Sequence, residues 1–66
     1  MEIYWSPQLL RRLVVDYQGK LWLVPTDAGG WERRVPCRGL RDVLRPVDPA
    51  TRRAVFEIVS LPEEQP

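Results

Sequence analysis

The sequence predicts a small α+β domain, an antiparallel sheet with one principal helix packed on it. Three observations lead there. Ser6-Pro7 followed by a stripe of apolar residues has the form of a capped amphipathic helix. Runs rich in Trp, Tyr, Val and Leu flank a Thr-Asp-Ala-Gly-Gly turn, as the two arms of a β-hairpin do. Finally, 66 residues with one cysteine and no histidine must hold together by packing or by a partner. Neither an internal disulfide nor a four-ligand zinc site can be assembled from them.

Element by element, Glu2–Trp5 reads as a strand, with Tyr4 and Trp5 as β-favouring aromatics. Ser6 can cap a helix whose first position is Pro7. Leu9, Leu10, Leu13, Val14 and Tyr17 then fall on one helical face, and Gly19 follows the last of them. This predicts a helix over residues 7–18. The competing reading is a strand over 13–17 that turns at Gln18-Gly19 into the next one, favoured by Val14-Val15; the Ser-Pro start and the stripe weigh against it. Residues 20–25 (KLWLVP) read as a buried strand. They form a hairpin with 31–36, where Trp31, Arg33 and Val35 alternate with Glu32, Arg34 and Pro36. Pro36 cannot donate to a ladder, which puts that strand at an edge.

In the last third, Leu40, Val43 and Leu44 predict a short helix that Pro46 stops. Residues 49–60 satisfy two templates. Asp48-Pro49 is a helix start with Ala54, Val55, Ile58 and Val59 on one face, yet the β-branched density and two partly apolar faces fit a strand. The balance tips to strand. The compact domain is expected to span residues 1–61, with 62–66 as a disordered polar tail.

Function is bounded mainly by what is missing. Without histidine, Ser6, Ser60, Thr26, Thr51 and Cys37 have no imidazole to activate them, and the carboxylates are scattered singly. The expectation is a non-catalytic protein with no cofactor and no metal. The N-terminus lacks the pattern of a signal peptide, no apolar run approaches a membrane span, and a lone cysteine fits a reducing interior, so a cytoplasmic location is expected. Nine of the ten basic residues are arginine, which fits a GC-rich bacterial, phage or mobile-element source.

Charge is the one asymmetric feature. The net charge of +1 conceals 0 over residues 1–30, +4 over 31–53 and −3 over 54–66. Arginines interleaved with a tryptophan can contact phosphates while the ring stacks on a base. This favours a small regulatory or adaptor module that binds DNA or RNA. Arg33, Arg34, Arg38, Arg41 and Trp31 form the candidate contact surface, with Arg11 and Arg12 as secondary contacts. The alternative is protein–protein interaction, as a homodimer or with another partner, through Trp5, Trp31 and Val35 at an exposed sheet edge.

Overall fold

The computed structural model describes residues 1–6, 12–38 and 44–62. It is an α+β fold, as the sequence predicts. Five strands, β1 (Glu2–Trp5), β2 (Arg12–Tyr17), β3 (Lys20–Pro25), β4 (Val35–Pro36) and β5 (Arg45–Pro46), form one antiparallel sheet. Their order is β4-β3-β2-β1-β5. One helix, α1 (Pro49–Ile58), packs on one face of it.

The central strand corrects the first helix. Residues 12–17 are extended, and the part of the expected helix over 7–11 lies outside the described residues. The physical reason is that β2 is buried on both faces. Leu13 and Val15 point into the core beneath α1, whereas Val14 is equally buried but lies outside that core. A strand covered on two sides carries a continuous apolar run rather than an alternating one. Such a run mimics part of a helical stripe. At Gln18-Gly19 both backbones have positive φ, 53° and 77°. That is the signature of the two-residue turn whose twist matches a hairpin. It joins Tyr17 directly to Lys20.

The hairpin expected between 20–25 and 31–36 is present only in part. β3 pairs with β4 at Trp22↔Pro36 and Leu23↔Val35. Residues Gly30–Arg33, however, form a 3-10 turn. That turn places two backbone donors at the end of α1: Gly29 N–H donates to the Ile58 carbonyl at 2.9 Å and Trp31 N–H to the Val59 carbonyl at 3.0 Å. Carbonyls at a helix end have no partner within the helix, and here the turn supplies them.

The last segment is a helix, correcting the strand reading of 49–60. Asp48 caps it by accepting from Thr51 N–H at 3.1 Å and from the Thr51 hydroxyl, and Pro49 sits in the first turn. It ends with Ser60 at φ 59° and Leu61 N–H donating to the Phe56 carbonyl. A left-handed residue with this long-range bond is a common helix stop, usually made by glycine. These caps outweigh β-branching because Val55, Val59 and Phe56 can share one face over Ile3, Leu13, Val15 and Val24. In the short helix expected near 39–45, Leu44 is not helical and Arg45 is in β5; the remainder lies outside the described residues. Residues 63–66 of the expected tail also lie outside them.

The cap makes a pH prediction. Hydrogen bonds from the Thr51 hydroxyl and backbone N–H hold the Asp48 carboxyl below its ordinary value. The folded pKa is therefore lower than the unfolded one. The stabilisation is present above the unfolded range, about pH 4, and is lost as pH falls through the folded value. In thermal melts followed by circular dichroism, Asp48→Asn, which still caps, is expected to flatten part of the acid decline in Tm. An acid limb identical to that of the parent protein would remove Asp48 from it.

Candidate functional site

The arginines read as one patch are divided by the fold. Arg34 lies against two indoles, its guanidinium carbon 4.3 Å from the Trp31 ring centre and 4.9 Å from that of Trp22. Its Nη1 donates to the Trp31 carbonyl at 3.1 Å. Arg33 is exposed and pairs with Asp27 at 3.5 Å. Trp31 is 8% exposed, with Tyr17 edge-on to it at 5.3 Å and Trp22 at 6.5 Å. This ring is part of the core and offers no open face for a base to stack on.

Arg38 is exposed. Arg12 contributes backbone to β2, while its side chain, Arg11 and Arg41 lie outside the described residues. The structure thus brings Arg34 and Trp31 together, but with each other. Alternation along β3 and β4 places Lys20, Trp22 and Pro36 on one face. There a recess of about 320 Å³ is lined by Lys20, Leu21, Trp22, Pro36, Cys37 and Arg38. Lys20 and Trp22 are the members that sequence reading missed. Their signal was the two-residue spacing in Lys20-Leu21-Trp22, which puts both side chains on one side of a strand. Partial burial pushes the Cys37 thiol up from its ordinary value, against the lowering that a neighbouring Arg38 could give.

A second surface lies between β1 and α1. Trp5 and Leu13, at the open end of the core face, meet Thr51, Ala54, Val55 and Ile58 around a groove of about 230 Å³. None of its described lining residues is charged. Trp5 and Ile58, 36% and 51% exposed, stand at its rim; among the described residues they are two of the three large apolar side chains left in water. The third, Val35, is 46% exposed on β4. Among the described residues no three of Asp, Glu and Cys come together as metal ligands, and no helix is long and apolar enough to cross a membrane.

The sheet edges bear on how a partner could attach. Both outer strands, β4 and β5, are two residues long and contain a proline, Pro36 and Pro46. Short edges without a full set of donors are poor templates for adding another strand. An interface at Val35 by strand addition finds little backbone to use, whereas the groove beside Trp5 offers an apolar depression with projecting rings and methyls. No protein-family model, no curated protein and no solved structure matches the chain.

Proposed function

We propose that the protein is a non-catalytic interaction module that pairs with a second copy of itself through the groove between β1 and α1. The observation that carries this reading is the groove itself. One surface holds both an apolar depression and the exposed side chains, Trp5 and Ile58, that could fill its equivalent in a partner. A two-fold interface requires such self-complementarity, since the same patch must serve on both sides. The uncharged lining favours a second copy, because facing itself sets no like charges against each other. A domain of this size, with a single cysteine and no histidine, also gains most from the additional apolar burial.

The test is the mass in solution by light scattering over a range of concentrations. The parent protein is expected at twice the 7.7 kDa chain mass. Ile58→Glu, which places a charge in the groove on a helix position exposed in the isolated chain, is expected to return a folded monomer. A monomer for the parent protein at the highest soluble concentration, or an Ile58→Glu variant still dimeric, would remove the proposal.

A further inference from the structure

We infer that the recess lined by Lys20, Trp22, Pro36, Cys37 and Arg38 is a binding site for a nucleoside phosphate, on a surface separate from the groove. It is bounded on one side by the start of β3, immediately after the Gln18-Gly19 turn, and on the other by the chain leaving β4. Cys37 N–H donates to the Leu21 carbonyl at 2.9 Å, which pins that exit against β3 and sets Arg38 across from Lys20. At about 320 Å³ the recess is near the lower end of small-molecule sites, roughly 300–1,000 Å³. That suits a single nucleotide unit.

The lining selects the ligand class. Two cations, Lys20 and Arg38, face the recess, no carboxylate is among its described lining residues, and neither cation has an ion-pair partner among the described residues. An arginine and a lysine placed around one recess suit a phosphate, the first by its planar fork and the second as a compact charge. Beside them the half-buried Trp22 indole lines the recess and supplies a stacking surface for a base. A simple carboxylate uses the two cations and leaves the ring idle; a nucleoside phosphate uses all three. Base pairs in a duplex hide their faces from an indole, so the unit recognised is a free nucleotide or one residue of a single strand.

The experiment is fluorescence anisotropy of a short labelled oligothymidylate at low salt, with competition by thymidine monophosphate and by inorganic phosphate. Binding is expected, and the Lys20→Ala, Arg38→Ala double variant is expected to weaken it at least tenfold with an unchanged far-ultraviolet circular dichroism spectrum. One neutralised phosphate gives a shallow salt dependence, a log–log slope of about −0.7 for a single strand. Thymidine monophosphate competing at concentrations close to the oligonucleotide's own, counted per nucleotide, assigns the site to free nucleotides. Competition only at far higher concentration assigns it to the polymer, and either result supports the proposal. Absence of binding at low salt overturns it. So does equal weakening by Arg53→Ala, an exposed helix arginine outside the recess, which would make the attraction one of diffuse charge. Inorganic phosphate competing as well as the nucleotide also overturns it, because the ring would then contribute nothing.

Discussion

Gly30→Ala is expected to leave the domain largely unfolded. A Cβ at this position would stand 2.0 Å from the Pro25 carbonyl oxygen and 2.9 Å from its carbon. Both are backbone atoms, so no side chain can swing aside to relieve the contact. Relief requires the 3-10 turn to move away from the end of β3. The turn cannot move without cost, because Gly30 N–H donates to the Asp27 carbonyl at 2.9 Å and its neighbours bond to Ile58 and Val59 at the end of α1. Moving it uncovers those carbonyls and withdraws Trp31 from the core. Overpacking alone typically costs about 1–3 kcal/mol. The uncovered helix end adds buried groups without partners, at about 1–3 kcal/mol each. A domain of this length has roughly 3–10 kcal/mol to lose.

Gly19→Ala isolates the backbone term. Gly19 has φ 77° and nothing within 4 Å of an added Cβ. Its cost is the left-handed strain alone, about 1–2 kcal/mol. Urea melts of both variants should therefore separate widely, with the Gly19 variant folded in water and the Gly30 variant not. Similar midpoints for the two would mean that the turn yields easily and that α1 is not fastened by it.

That turn also shows where sequence reading succeeds and where it fails. β1 is legible because Tyr4 and Trp5 leave little else for Glu2–Trp5 to be. The α+β class is legible because one capped helix and several aromatic runs must share a core. The helix was assigned to the wrong segment for a specific reason. Leu13 and Val14 are both fully buried, yet on opposite faces of the sheet, and only Leu13 and Val15 reach the core beneath α1. In one dimension, burial on two faces of a strand and burial on one face of a helix produce the same adjacent apolar pairs. What separates them is local: Gln18 accepting a positive φ beside Gly19 closes a hairpin, and Asp48 with Pro49 opens a helix. Capping chemistry was the better guide at residue 48, and β-branching was the worse one.

The arginine patch was less legible than the fold. Arg33, Arg34 and Trp31 are close in sequence, and closeness suggested a common surface. The 3-10 turn instead rotates Trp31 inward and sends Arg34 after it, whereas Lys20 and Trp22 reach the recess from another strand. Which of several arginines faces solvent and which is enclosed by rings depends on pairing across the sheet, and no local pattern carries that information.

Arg34→Ala is expected to lower stability by about 2 kcal/mol, near 10 °C or more in Tm for a domain this small. The guanidinium lies within cation–π range of two indoles, and such contacts contribute about 0.5–1 kcal/mol when exposed and about 2 when desolvated. Its bond to the Trp31 carbonyl adds to this. Against these stands the buried Nε–H, which has no acceptor among the described residues. Truncation to alanine removes the unpaired donor but also the stem that covers the two rings. Arg34→Met separates the terms. Its chain keeps the apolar contact and sets a sulfur near the aromatics while removing the unpaired donor. It is expected to lose less than half of what alanine loses. If both variants fall equally, the charge and its hydrogen bond dominate and the stem matters little. If Arg34→Ala melts like the parent protein, the side chain is an ordinary solvated cation, free to meet a phosphate, and the division between a structural Arg34 and a ligand-facing Arg38 collapses. The expected loss makes the opposite point: Trp31 and one side of Trp22 are covered by one of the chain's own arginines, which is held there rather than left to solvent.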